Sequence, residues 1–184
     1  FGFLIPDSAG EEDIYLSENI SKQKLLDVLK SEADKVHVID IMFACSHLKE
    51  ESKYVQASYR KEYDRIYIES FLLGIKKIRE DKNSYQGFVD TRELKKAFKT
   101  LKSQETRVKT DYPQHLRFFR IYRLITIYTT FVRDQPVHPV GMPFPGGFKI
   151  KYENGTYYCP VKENQKDNPG AVCGICIAEQ DKDV

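Results

Sequence analysis

KYVQASYRKEYDRIYIESFLLGIKKIRE, residues 53–80, decides the fold class. Val55, Tyr59, Tyr63, Ile66, Tyr67, Phe71, Ile75 and Ile78 recur every three or four positions, the spacing that lines up one face of a helix. The stretch predicts a single long amphipathic helix. Upstream, Ser21 is a natural N-cap for KQKLLDVLKSEADK, with Leu25, Leu26, Val28 and Leu29 as its buried stripe. VIDIMFACSHLKEE then places Ile41, Met42, Cys45 and Leu48 at helical spacing, which predicts a second helix. Downstream, Asp90 and Glu93 form a capping-box pattern ahead of Leu94, Ala97, Phe98 and Leu101. Pro113 suits the first turn of a fifth segment, LRFFRIYRLITIYTTFV. That segment is rich in β-branched and aromatic residues, so a strand competes; its length favours a buried helix.

The fold class read from these segments is mainly α: a bundle of about five helices over residues 21–134, preceded by an N-terminal arm at 1–20. The composition agrees with a folded domain. Of 184 residues, 41% are apolar and 30% charged, and 12 Tyr with 11 Phe replace the absent Trp as bulky core material. A net charge of +2 gives no general electrostatic reason to expect nucleic acid. No stretch approaches the roughly 20 apolar residues that span a bilayer, and the chain opens without the basic start and apolar run of a signal peptide. A cytoplasmic location is expected, and the missing initiator Met predicts that residues precede Phe1.

Composition changes abruptly after residue 134. Residues 135–147 hold four Pro and three Gly, which stops the helix. FKIKYE-NG-TYYCPV follows, and Asn154-Gly155 between alternating residues is a strong hairpin signal because both turn positions favour positive φ. Cys159 is thereby placed near the end of a strand. A polar loop and a second turn at Asn168-Pro169-Gly170 lead to AVCGICIAEQ. Residues 135–184 therefore read as a Pro/Gly loop, a β-hairpin and a Cys-rich module.

The chemistry lies in Cys159, Cys173 and Cys176. A Cys-x2-Cys turn aims two thiolates at one ion, Gly174 relieves crowding inside it, and a thiolate from the hairpin supplies a third corner. A double Cys-x2-Cys would be a stronger signal; here Lys162 stands where the second cysteine of the first pair would be. Three small buried hydrophobes and a redox dithiol are the competing readings. Apolar burial, however, does not explain three cysteines clustered among turns. Zinc and a 4Fe-4S iron–sulfur cluster both accept such ligation, and spacing does not separate them. His138, in the Pro-rich loop, and Cys45, on the second helix, are the candidates for a fourth ligand.

Other features carry less. Arg117, Arg120, Arg123 and Arg133 with HPVGMPFPGG suggest an anion site, against a plainer reading of that loop as packing material. Neither a phosphate loop nor a dinucleotide fingerprint nor a serine elbow occurs, and His47 to Glu50 lacks the second His of a zincin. Met142, Phe144, Phe148, Tyr157, Tyr158, Val161, Ile175 and Ile177 concentrate in the tail. They either form a docking face or close one core with the helices.

The tail HPVGMPFPGGFKIKYENGTYYCPVKENQKDNPGAVCGICIAEQ, residues 138–180, resembles a family of cytoplasmic proteins from methane-producing archaea, a domain of unknown function. The resemblance supplies context and no activity. It implies a strict anaerobe, in which iron–sulfur centres are common, and it maps the family's tail cysteines to Cys159, Cys173 and Cys176. The expected function is a non-catalytic metal-binding accessory protein with a protein partner, in the setting of a methanogenesis enzyme complex. An iron–sulfur electron-transfer protein and a zinc enzyme are the alternatives. The absence of a nucleophile–base pair favours the first.

Overall fold

The computed structural model describes residues 19–184, so the arm expected over 1–20 lies almost wholly outside the described residues. Helix α1, Lys22–Asp34, begins where the Ser21 hydroxyl accepts the Lys24 N–H at 3.1 Å. It buries Leu25, Leu26 and Leu29 completely. Arg79 donates to the carbonyls of Ala33 and Val36, satisfying the end that α1 leaves open.

Helix α2, Val38–Ser52, corrects one expectation. Ala44, Leu48 and Ser52 are its buried residues, Ile41 and Cys45 are half-buried, and Met42 is 60% exposed. At about 100° per residue, Met42 projects roughly 200° away from Ala44, so it cannot share the face that α2 turns to the core.

The long helix predicted over 53–80 begins later and is not uniform. Lys53–Val55 forms a turn, in which Arg60 donates to the carbonyls of Lys53 and Val55. Helix α3, Ala57–Tyr63, passes through a π-helical segment, Asp64–Ile68, into α4, Glu69–Glu80. The wider π turn re-aims the apolar stripe. Tyr63 at its entry and Ile66 and Tyr67 within it pack toward the C-terminal module; after it, Phe71, Ile75 and Ile78 enter the main helical core.

Helix α5, Thr91–Asp111, is capped by Asp90, whose carboxylate accepts the N–H groups of Arg92 and Glu93. Pro113 opens a short 3-10 turn that leads into α6, Leu116–Ile127, and a second π-helical segment, Tyr128–Val132. The β-branched segment is thus helical. It crosses α4 closely: a Cβ on Gly74 would lie 2.4 Å from Ile125 Cδ1. Asp134, at φ 50°, ends the helix in the left-handed conformation.

The C-terminal part contains β1, Lys151–Glu153, antiparallel to β2, Thr156–Cys159. Asn154 and Gly155 take φ of 49° and 83°, as the hairpin requires. A third strand, β3, Glu179–Gln180, pairs in parallel with β2 and was not expected from sequence. A short helix α7, Lys162–Gln165, occupies the polar loop. The architecture is therefore mainly helical with a small three-stranded sheet, order β1-β2-β3. The module does not stand apart from the helices. Val137, Val172 and Ile175 belong to the same buried cluster as Leu25 and Ile121, while Met142, Ile150, Cys159 and Ala178 form a smaller one bordered by Tyr67 and Cys176. No helix of the described residues is long and apolar enough to cross a membrane.

Candidate metal centre

Cys159 ends β2, and its carbonyl accepts the Asp181 N–H at 3.0 Å, which ties the strand end to the segment after β3. The Val161 and Lys162 N–H groups point at its sulfur. Cys173 and Cys176 lie on a tight turn closed by the N–H groups of Ile175 and Cys176 donating to the Val172 carbonyl. Inside that turn a Cβ on Gly174 would come within 2.7 Å of the Lys166 carbonyl oxygen, so only glycine fits without a backbone shift.

These pieces meet around one cavity of about 10 Å³, lined by Cys159, Cys173, Cys176 and His138 together with Lys162, Ile150, Val172, Ala178, Pro136 and Val137. Its room is that of a single water or ion. Among the described residues, no group of three or more His, Cys, Asp or Glu is placed so that it could hold a metal ion. The four cysteines are free thiols. Burial pushes the Cys173 thiol up, its neighbours Cys176 and Cys159 push it further, and Lys162 acts in the opposite direction. Burial likewise raises Cys159, against the two N–H groups and Lys162.

His138 packs its ring against Tyr67 at 5.6 Å and edge-on to Phe144 at 5.9 Å. Burial pushes its pKa down to about 4, so at neutral pH the imidazole keeps a free lone pair. Cys45 is elsewhere. It sits half-buried on α2 against the helical core and does not line the cavity. Tyr122, whose hydroxyl is pushed up by burial and by the nearby Tyr67, Cys173 and Cys176, stands on the helical side of the site.

Two polar contacts tether the cysteine turn and the segment just before it, and sequence reasoning assigned neither. Lys162 Nζ donates to the carbonyls of Cys173 and Cys176, the latter at 2.7 Å. The buried Gln104 amide of α5 donates to the carbonyls of Pro169 and Ala171 at 2.9 and 3.0 Å. The sequence does mark Lys162 by its place in Cys-Pro-Val-Lys; nothing local marks Gln104. The arginines proposed for an anion site are engaged separately. Arg117 lies 3.5 Å from Asp40, Arg120 3.9 Å from Glu32, Arg123 3.2 Å from Glu105 and Arg133 3.8 Å from Asp81. The His47 ring lies 4.1 Å from that of His115, tilted by 38°.

Residues 21–181 match the family described as "Uncharacterized protein conserved in archaea (DUF2115)". The chain belongs to this family. Among its relatives, a UPF0305 protein of Methanothermobacter thermautotrophicus is 44% identical over 165 residues, covering 90% of this chain and 99% of that protein. A second UPF0305 protein of the same organism is 33% identical, over 85% of this chain and 94% of its own length. One from Methanocaldococcus jannaschii is 27% identical over the same shares. No solved structure matches the chain.

Proposed function

We propose that the protein is a non-catalytic, metal-binding accessory protein whose single-ion centre, on Cys159, Cys173, Cys176 and His138, locks the C-terminal module onto the helices. One observation carries this reading: the three clustered cysteines and His138 line the same cavity, and its volume of about 10 Å³ suits one ion. A cubane of four irons and four sulfides asks for far more room, so zinc is favoured over a 4Fe-4S cluster. Three thiolates and a neutral imidazole would complete a tetrahedron, which describes a structural site more than a catalytic one with an open position. A protein partner, in the setting of a methanogenesis enzyme complex, is part of the same proposal; the family itself is described as archaeal. The tail's apolar residues divide between core and surface: Met142 and Ile175 pack inward, Phe144, Phe148, Tyr157, Tyr158 and Val161 are half-buried, and Ile177 is 38% exposed.

Metal analysis of protein purified anaerobically tests the reading. The expected result is a colourless chain with one zinc, lost in Cys173→Ser and in Cys176→Ser and retained in His37→Ala. Full metal in either cysteine variant would overturn the centre, and a brown protein carrying iron and sulfide would replace zinc by a cluster.

A further inference from the structure

In a double Cys-x2-Cys site a fourth cysteine would occupy position 162; here a lysine does, at the cavity wall. Its ammonium does not point into solvent but bridges the two carbonyls of the Cys173–Cys176 turn. The same residue contributes its backbone N–H toward the Cys159 sulfur. One residue therefore touches both halves of the ligand set, the hairpin end and the turn.

Resting on the metal reading above, we propose that Lys162 is the positioning residue of the centre: it fixes Cys159 relative to the Cys173–Cys176 turn and neutralises the loaded site. Charge accounts for the choice of side chain. Three thiolates around a divalent ion with a neutral imidazole leave one net negative charge in an apolar pocket bordered by Ile150, Val172 and Ala178. An isolated charge buried there is costly, and a cation beside it removes the cost. A fourth cysteine would instead add a second negative charge. Lysine thus serves as clamp and counter-charge, while His138 completes the coordination without adding charge.

The clamp also explains how the ligands can converge although they are far apart in sequence and joined through an exposed loop. Residues 163–170 are largely solvent-facing and carry little apolar anchorage. Without Lys162 the turn would be positioned by the Gln104 tether and by Val172 and Ile175, which set it against the helices, and by the β2–β3 pairing that follows it, which ties the chain beyond the turn to Cys159. Lys162 adds polar contacts to the Cys173 and Cys176 carbonyls of the turn itself.

The test uses the full chain with Co²⁺ as probe, reading the thiolate-to-cobalt charge-transfer absorption and the number of cysteines that bound metal shields from alkylation. Wild type should shield Cys159, Cys173 and Cys176. Lys162→Met should leave Cys159 reactive, weaken Co²⁺ binding at least about tenfold, as loss of outer-sphere support typically does, and lower the charge-transfer intensity. Lys162→Arg should restore shielding, since it keeps both the charge and the donors. If Lys162→Met does not accumulate as folded protein, Lys162→Gln serves, and it should bind Co²⁺ more weakly than Lys162→Arg. Three shielded cysteines with near wild-type affinity in Lys162→Met or Lys162→Gln would overturn the role of Lys162 while leaving the metal centre intact. No shielding in wild type would overturn the metal centre itself, and the role of Lys162 with it.

Discussion

The helical region and the C-terminal module are held together by different kinds of force. In the helices, Leu25, Leu29, Ile78, Leu94 and Leu101 are fully buried and belong to one continuous cluster. Many interchangeable apolar contacts share the work there. The module's regular structure amounts to strands of two to four residues, one short α-helix and a 3-10 turn at Pro145–Gly147. Its loops are fixed by single polar tethers: Lys162 to the cysteine turn, Gln104 to the preceding turn, the Gln180 amide to the Pro160 carbonyl, and Lys151 to Asp181 at 2.8 Å. A region of the first kind loses stability in proportion to buried volume. One of the second kind comes loose locally when a tether is cut.

The contrast breaks first if the helical core is not the global anchor. Leu101→Ala removes a fully buried side chain from α5 and should cost about 2–5 kcal/mol, read as a lower urea midpoint at unchanged slope. The helical circular dichroism and protection of the module should fall together, because the module leans on this core through Val172 and Ile175. Loss of the module alone would show that the two regions are uncoupled.

A polar exception inside the helical region sharpens the comparison. Asp81, just past α4, accepts hydrogen bonds from the Tyr128 and Tyr85 hydroxyls at 2.7 and 2.8 Å and from Asn83 at 2.9 Å through its backbone and 2.7 Å through its side chain. Burial pushes its carboxyl up, but these hydrogen bonds outweigh burial and hold it below the usual carboxylate range. A value lower in the folded than in the unfolded chain means that the ionised form stabilises. That contribution is full above about pH 4, the unfolded value, and is lost as pH falls through the depressed folded one. Asp81→Asn should therefore cost about 2–3 kcal/mol at pH 7, and the gap from wild type should narrow in acid. A gap independent of pH would show that packing, not charge, makes Asp81 matter.

The same division explains what the sequence discloses. Ser21, Asp90, Pro113 and Asn154-Gly155 act through backbone geometry within a few residues, and the apolar stripes act through a fixed period, so both can be seen in the chain itself. The π-helical segments shift that period without any local marker. Strand β3 is only two residues long and pairs with β2 across the whole Cys-rich loop. Met42 was misplaced because α2 is apolar on several sides and periodicity alone does not choose between them. At the candidate site, residue type and spacing mark Cys159, Cys173, Cys176, His138 and Cys45 alike; the fold brings the first four to one cavity and leaves Cys45 elsewhere. Lys162 was visible only as a missing cysteine, and Gln104 and Asp81 not at all, since a buried polar residue acquires its meaning from distant partners.

The smallest effect is expected at Gln104, where the two regions touch. Its amide donates to the carbonyls of Pro169 and Ala171, just ahead of the cysteine turn, from a side chain that is itself buried. Gln104→Leu preserves bulk and removes the donors. Both carbonyls sit on residues that are exposed or half-buried, so water can take over part of the lost bonding. The cost should accordingly lie at the low end for an unmade hydrogen bond, about 1 kcal/mol. It should also be local. Hydrogen exchange in metal-stripped protein should quicken about five-fold at the Ile175 and Cys176 amides, which close the turn on Val172, while amides of α1 and α5 hold their rates. Cleavage by trypsin in 162–166 should rise in step, with little change in the urea midpoint. Equal acceleration in α1 and in the turn would mean that the molecule opens as one cooperative unit. The distinction between a distributed core and a tethered module would then fail at the place where it is most exposed to test.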